Sequence, residues 1–427
     1  MKTAIFWFRR DLRLEDNKGL HAALLSGKPV QTIFIFDRQI LEELPEDDAR
    51  VTFIYQSLQA IHQNLLSFGS SIRILHGDPL KVWERILATE DVAEVFINRD
   101  YEPYAVERDR QIEILLKKQG IALRSYKDQV IFEKDEVLKN DGTPYTVFTP
   151  YKRRWIEAMI HNKPSPLDFP SSPSLKPSSH PFPELGEIGF QHSEIQIPPY
   201  DLTIAQDYES TRNFPALDAT SHLSPHLRFG TVGIRSVLNR LKTENEVFLS
   251  ELIWREFFMQ ILSHFPRVVD QNFRRKYDGI QWRNNEMEFS MWCEGLTGYP
   301  LVDAGMRQLN STGFMHNRVR MVCASFLCKH LLVDWRWGEA YFALKLNDYE
   351  LSSNNGNWQW AAGTGCDAAP YFRIFNPHEQ LKKFDKDLKY IQQWVPEYGS
   401  PGYNQYIVDH TYARTRALET YKSGIKR

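Results

Sequence analysis

The apolar positions change rhythm along the chain. Up to about residue 126 they come in short continuous runs: residues 3–8, 30–36, 72–75, 93–98 and 121–125. Such runs suit strands buried on both faces. Between them the period is helical. From about Arg50 to Phe68, the residues Val51, Ile54, Tyr55, Leu58, Ile61 and Leu65 share one face, and a second helix is expected over about 103–119. Alternating strand and helix predicts an α/β domain with a doubly wound, Rossmann-like parallel sheet. No GxGxxG follows the first strand. Arg9-Arg10-Asp11-Leu12-Arg13 stands there instead, and bracing by ion pairs is favoured over ligand binding.

From Lys163 to Tyr200 the periodicity stops. Nine prolines in that stretch (Pro164, Pro166, Pro170, Pro173, Pro177, Pro181, Pro183, Pro198 and Pro199) forbid regular helix or sheet. This reads as a long, semi-rigid connector. Beyond Thr203 the pattern is helical throughout. The expected division is an α/β domain over 1–130, a linker over 131–202 and an all-α domain over 203–427.

Two helices of the C-terminal half carry a second face beside their core stripe. In the helix expected over about 247–264, Glu251, Trp254, Arg255 and Phe258 fall at i, i+3, i+4 and i+7. They make either a surface ion pair beside a half-buried indole or an acid beside a stacking platform. In the helix expected over about 315–332, Asn317, Arg320 and Met321 share a face, while Arg318 points elsewhere. An amide and a thioether there suit a pyrimidine edge, and a packed Met beside a satisfied Asn is the plain alternative. Residues 220–224, Thr-Ser-His-Leu-Ser, precede a helix expected at about 231–241 and offer hydroxyls and backbone N–H groups to an anion. Residues 347–377 have no period at all. Acids, three asparagines, Trp358, Trp360 and small residues follow one another there. An irregular loop with buried aromatics and a pocket for a large flat polar ring both remain open. Gly363-Thr364-Gly365-Cys366-Asp367-Ala368 fits GxGxxA, but it follows a helical segment and is no dinucleotide fingerprint.

Composition narrows the class. Apolar residues make up 42 % and charged residues 25 %, an ordinary globular balance, and eight of the 11 tryptophans lie from Trp254 onward. A net charge of −2 excludes bulk attraction to nucleic acid, so DNA binding requires a local basic patch. Four cysteines without a CxxC suggest free thiols in a reducing compartment. The run Ala4–Phe8 is cut by Arg9-Arg10, against a secretion signal, and no run reaches the length of a membrane span. A cytoplasmic protein is expected, with no metal site.

Several separated stretches together resemble the photolyase/cryptochrome flavoproteins. They are Trp7 to Arg13, Glu251 to Phe258, Thr297 to Asp303, Met315 to Met321 and Asn354 to Pro377, in matching order and spacing over nearly the whole chain. Within the family the likeness is to bacterial enzymes for cyclobutane pyrimidine dimers. It implies light-driven DNA repair by reduced FAD, by a monomer. FAD-site positions are matched by Tyr208, Thr220, Ser221, His222, Leu223, Ser224, Phe248, Arg255, Arg320, Asp348, Tyr349, Glu350 and Asn354. The family usually has Arg or a similar residue at His222 and Asp at Glu350. Glu251, Trp254, Asn317, Met321 and Trp360 match the surroundings of the flipped dimer. Arg212, Arg318, Arg373 and Gln380 match DNA contacts, and Trp282, Trp335 and Trp358 match the electron-transfer chain.

Two relatives within the family are weighed against this. Plant-type cryptochrome receptors carry an acid at the position of Asn354, and 6-4 photolyases use paired histidines where His316-Asn317 and Met321 stand here. Folate-binding members use an Asn-Glu pair where this chain has Tyr104-Ala105, so a folate antenna held in that manner is not expected. A deazaflavin, a flavin or no antenna all stay open.

Overall fold

A computed structural model describes residues 2–161, 163–242, 245–403 and 405–425. The chain forms two compact units. One comprises Met1–Val137, Trp155–Leu202 and His222–Thr243; the other comprises Leu138–Arg154, Thr203–Ser221 and Glu244–Arg427.

The first unit is built on β1 (Thr3–Phe8), α1 (Lys18–Leu24), β2 (Val30–Asp37), α2 (Arg38–Leu41), α3 (Ala49–Leu66), β3 (Arg73–Gly77), α4 (Pro79–Thr89), β4 (Val92–Asn98), α5 (Pro103–Lys118) and β5 (Ala122–Tyr126). The five strands are parallel in the order β3-β2-β1-β4-β5. Successive side chains of β1 feed two cores. Phe6 and Phe8 pack with Leu20, Phe34 and Leu58, while Ile5 and Trp7 pack with Ile33, Trp83 and Val95. Burial on both faces explains why β1 and β2 and most of β4 read as continuous apolar runs, while the edge strands β3 and β5 are only partly covered. The doubly wound α/β class expected from the pattern is the one observed.

The charged run after β1 braces the unit. Arg9 donates to Asp109 at 2.5 Å, Arg10 to Asp100 and Glu102 at 3.2 Å, and Arg13 to Asp128 at 2.5 Å. The helix α6 (Phe148–His161) follows, then the short α7 (Tyr208–Thr211), α8 (Leu223–Phe229) and α9 (Ile234–Arg240). The sequence pattern does not announce α8. α9 is tied to the first unit by Arg235, which is 2 % exposed and sits 2.6 Å from both Asp16 and Asp128. Burial alone would raise the Asp128 carboxyl, yet Arg13 and Arg235 hold it below its ordinary range.

The second unit is helical: α10 (Glu246–His264), α11 (Glu286–Glu294), α12 (Pro300–Thr312), α13 (Asn317–Ser325), α14 (Trp335–Lys345), α15 (Leu351–Ala362), α16 (Pro377–Phe384), α17 (Lys389–Trp394) and α18 (His410–Ile425). Three features depart from the sequence reading. Within the stretch without a period, Leu351–Ala362 form one helix, α15. The helix expected over 315–332 ends at Ser325 and continues as a π-helical segment, Phe326–Leu331. A π turn accommodates an extra residue, and Lys329 and His330 both turn inward, each 1 % exposed. Part of the supposed connector, 138–154, packs in the helical unit. No helix among the described residues is long and apolar enough to cross a membrane.

Replacing Arg235 with Met leaves Asp16 without its guanidinium and Asp128 with only Arg13. The expected loss is about 3 kcal/mol in denaturant unfolding followed by a first-unit probe. Lys2→Met, at the exposed Lys2–Asp91 pair, is expected to lose under about 1 kcal/mol.

Candidate functional site

Three helices of the second unit converge, with α10 and α13 both packed on α15. Close approach is possible because Gly356 faces Phe258; a Cβ there would lie 2.1 Å from its ring. Two ion pairs fix the start of α15. Arg255 of α10 lies 3.1 Å from Glu350, and Arg320 of α13 grips Asp348 with two bonds of 3.1 and 2.9 Å. Glu350 and Asp348 immediately precede α15, so both arginines pull on the same end of the helix.

One turn in, Asn354 is 9 % exposed, and its amide nitrogen donates to the Glu339 carbonyl at 3.0 Å and to the Glu339 carboxyl at 2.8 Å. Both amide hydrogens are thereby committed, leaving Oδ1 as an acceptor. Burial pushes the Glu339 carboxyl up to about 7, partly offset by the Asn354 bond. These residues fit a flavin whose N5 carries a hydrogen: a fixed acceptor, no forced negative charge beside it, and flanking guanidiniums already neutralised.

Beside this lies a second cluster. Tyr208 meets Phe248 edge-on at 5.2 Å, and the Arg212 guanidinium sits 5.0 Å over the Tyr208 ring. Arg212 bonds Glu251 at 2.5 Å, so an expected DNA contact and an expected lesion contact are paired with each other. Burial and the Glu251 charge push the Tyr208 hydroxyl up to about 12. Trp254 is half-buried and lies flat on Phe148, centroids 3.6 Å apart and planes 7° from parallel.

Arg318 corrects the sequence reading, because it does not point away from Met321. Its guanidinium lies 3.7 Å from the Met321 sulfur, bonds Asn213 at 2.5 Å and stacks 4.5 Å over Phe384. Residues three apart on a helix are neighbours, so this is the ordinary geometry. Burial, then repulsion from Arg212 and Arg373, lowers the Arg318 pKa. Three of the expected DNA contacts therefore feel one another as a local positive cluster on a chain of net charge −2. Gln380 lies one turn before Phe384 on α16, Arg373 is exposed, and Asn317 is exposed at the start of α13.

The tryptophans sit in the helical core. Trp335 and Trp358 are 0 % and 2 % exposed, with Trp282 and Trp360 packed at the edge. Gly338, one turn after Trp335, lets the Trp358 ring lie against α14; a Cβ would be 2.1 Å from it. Tyr349 packs on the same core. Thr220 and Ser221 belong to this unit and are half-buried; His222, Leu223 and Ser224 follow in the other, with His222 at a φ of 49° before α8. Sequence reasoning missed Phe148, Asn213 and Glu339. Only Glu339 left a signal, four residues after Trp335 on a helix.

A fold pairing a parallel α/β unit with a helical unit, and a site of this make-up, define a class of flavoprotein. The family described as DNA photolyase matches residues 4–171, and the FAD binding domain of DNA photolyase matches 248–402. The chain belongs to the DNA photolyase family. It is 36 % identical to the deoxyribodipyrimidine photo-lyase of Escherichia coli over the full length of both chains. Among solved structures it is similar to a class III photolyase from Agrobacterium tumefaciens, with TM-score 0.89, 34 % identity, and coverage of 100 % of this chain and 98 % of that one. It is also similar to an archaeal photolyase from Sulfolobus tokodaii solved with two FAD molecules, with TM-score 0.88, 37 % identity, and coverage of 98 % and 99 %.

Because the Glu339 carboxyl is raised from 4.5 to about 7, burying it as an anion costs stability progressively as pH climbs through that window. Glu339→Gln removes this cost. Its unfolding free energy is expected to gain on the wild type between about pH 5 and pH 8, by an amount on the order of 2 kcal/mol, read from denaturant melts across that range. A constant difference across that range is the contrary result.

Proposed function

We propose that this chain is a light-driven deoxyribodipyrimidine photo-lyase that splits cyclobutane pyrimidine dimers in DNA. The carrying observation is the Asn354 amide of α15, oriented by Glu339 of α14, in the same helical unit as the Arg212–Glu251 pair. When bound, reduced FAD supplies a photoexcited one-electron transfer that opens the dimer.

The chain's own residues bind and orient. Tyr208, Thr220, Ser221, Phe248, Arg255, Arg320, Asp348, Tyr349, Glu350 and Asn354 hold FAD, and on sequence alone the same role extends to His222, Leu223 and Ser224. Asn354 Oδ1 would offer a neutral acceptor to the flavin N5 edge. The lesion side is catalytic: Glu251 bonds the 5′ base at its carbonyl and ring nitrogen and steadies the negative charge the dimer gains. Trp254, rigid on Phe148, and Trp360 form a dry stacking wall for the flipped bases, with Asn317 and Met321 at their edge. Arg212, Arg318, Arg373 and Gln380 engage the DNA backbone, so recognition rests on charge and pocket shape and not on base sequence. Trp358, Trp335 and Trp282 carry electrons to oxidised FAD.

The α/β unit is of the antenna type and the helical unit is the catalytic part of a monomer, cytoplasmic and nucleoid-associated when on DNA. The antenna is a deazaflavin, a flavin or absent. The Tyr104 hydroxyl donates to Asp37 at 2.7 Å where folate binders place an amide, which speaks against folate in that mode. An absorption spectrum of the purified protein, followed by illumination with a dimer-containing oligonucleotide, tests the reading. A protein that takes no FAD, or leaves the dimers intact under blue light, overturns it.

Glu251→Ala is expected to lower the repair yield per absorbed photon several-fold while FAD stays bound, measured by actinometry on pre-reduced enzyme; an unchanged yield removes Glu251 from the chemistry. Trp282→Phe is expected to lose photoreduction of oxidised FAD but to repair normally once reduced chemically. Normal photoreduction would place the electron route elsewhere.

A further inference from the structure

The Trp254 ring is held by a residue more than a hundred positions earlier in the chain. Phe148, buried at the first position of α6, lies flat on the indole, and Tyr151, three residues on, meets Phe257 of α10 at 5.2 Å. Phe148 makes a second contact through its backbone. The first N–H groups of a helix have no partner within it, and here the Phe148 N–H donates to the Asp367 carboxylate at 3.0 Å. A carboxylate suits that end of a helix. Asp367 belongs to the loop that leaves Trp360, and that loop is tightly fixed. The Thr364 and Gly365 amides both donate to the carbonyl of Gln359, the neighbour of Trp360, at 3.0 and 3.1 Å. Arg274 holds the next residues, its amide donating to the Thr364 carbonyl at 2.9 Å and its guanidinium to the Cys366 carbonyl at 2.8 Å. An unbroken set of contacts therefore runs from Trp360 through residues 364–367 and Phe148 to Trp254.

We propose that Phe148 and Asp367 are positioning residues for the lesion: the bond between them ties the Trp254 ring to the loop after Trp360, so both indoles are in place before a dimer arrives. The inference rests on the reading of Trp254 and Trp360 as the lesion's stacking surfaces. A cyclobutane dimer is two pyrimidine rings joined by two bonds, and it cannot bend to suit a wandering wall. Its binding energy therefore depends on how little side-chain freedom is left to lose. A tryptophan on a helix has several rotamers open to it, and a flat ring against one face selects one of them while leaving the other face to a base. The Asp367 bond fixes where Phe148 stands and thus where that free face lies. Undamaged duplex keeps its bases stacked and meets only the arginines, so it does not sense the arrangement. Phe148 and Asp367 thereby act on discrimination and leave general attraction to DNA untouched.

Binding in the dark, where no repair occurs, tests this. Fluorescence anisotropy of the FAD-loaded full chain is read on a duplex oligonucleotide with one thymine dimer and on the same duplex without it. Asp367→Ala and Phe148→Leu are each expected to weaken dimer binding about tenfold while binding of the undamaged duplex stays within about twofold. Asp367→Asn keeps a side-chain oxygen for the Phe148 N–H and is expected to retain most of the wild-type preference. A preference unchanged in both Asp367→Ala and Phe148→Leu overturns the proposal. So does an equal loss on both duplexes, or a failure of both variants to hold FAD, since either result assigns the contacts to folding alone. Should only Asp367→Ala fail to hold FAD, Phe148→Leu decides. An Asp367→Asn chain as weak as Asp367→Ala places the effect in charge instead of the bond and also overturns it. Trp254→Leu separates the two levels. If it keeps the full preference for the dimer, the stacking-surface reading falls and this inference with it; if it loses the preference while Asp367→Ala and Phe148→Leu keep it, the inference alone falls.

Discussion

The two ion pairs at the start of α15 are the constraint on which the helical unit's site depends. Arg255 and Arg320 come from different helices, yet their partners Glu350 and Asp348 are two residues apart. Buried or half-buried pairs of this kind add little net stability, because desolvation offsets most of the attraction. Their contribution is register: with both made, the first turn of α15 has one orientation, and Asn354 is delivered to Glu339. The rest of α15 needs that help. Leu-Ser-Ser-Asn-Asn-Gly-Asn-Trp-Gln-Trp-Ala-Ala is a poor helix former, its serines, asparagines and glycine together costing on the order of 3 kcal/mol relative to alanine.

Tertiary bonds make up that deficit and explain why the helix was invisible as a pattern. Asn355 and Gln359, one turn apart, donate to the Val268 carbonyl at 2.9 and 3.0 Å, and the Gln359 oxygen accepts from the Phe273 amide at 2.9 Å. The face that would carry an apolar stripe in an ordinary helix is here a row of satisfied amides. Hydrophobic periodicity reports burial in apolar surroundings and does not report burial by hydrogen bonding. The α/β unit had the opposite property: its central strands, covered on both faces, declared themselves by composition alone, and the ends of all five fell within a residue or two of the expected positions.

What stayed illegible has a common cause, contact across long sequence separation. Phe148 sits in the stretch taken for connector and is stacked on Trp254, more than a hundred residues later. The α9 segment reads as an ordinary helix of the C-terminal half, and contacts no local pattern shows, of Arg235 to Asp16 and Asp128 and of Ser236 to Asp16, tie it to the first unit. The direction of Arg318 was misread because its neighbours Asn213 and Phe384 come from distant segments. By contrast, the Arg9–Arg13 run was readable, since charge at the end of a buried strand has few places to go but into partners.

Charge balance at the lesion side follows from the same geometry. Arg212 and Arg373 act on Arg318, and His316 is brought down to about 4 by burial first and then by Arg320, Arg318 and Arg212. Among the described residues Arg212 pairs with the Glu251 carboxylate, whereas Arg318 bonds the Asn213 amide. Such an arrangement is uneasy on its own, because Arg318 packs on Phe384 against a neutral amide while only Arg212, packed on Tyr208, is shown matched by the Glu251 carboxylate. An approaching polyanion relieves the repulsion, so the attraction is local, screened by salt and independent of the chain's overall sign. A protein of net charge −2 can therefore hold a phosphate backbone where it needs to and repel it elsewhere.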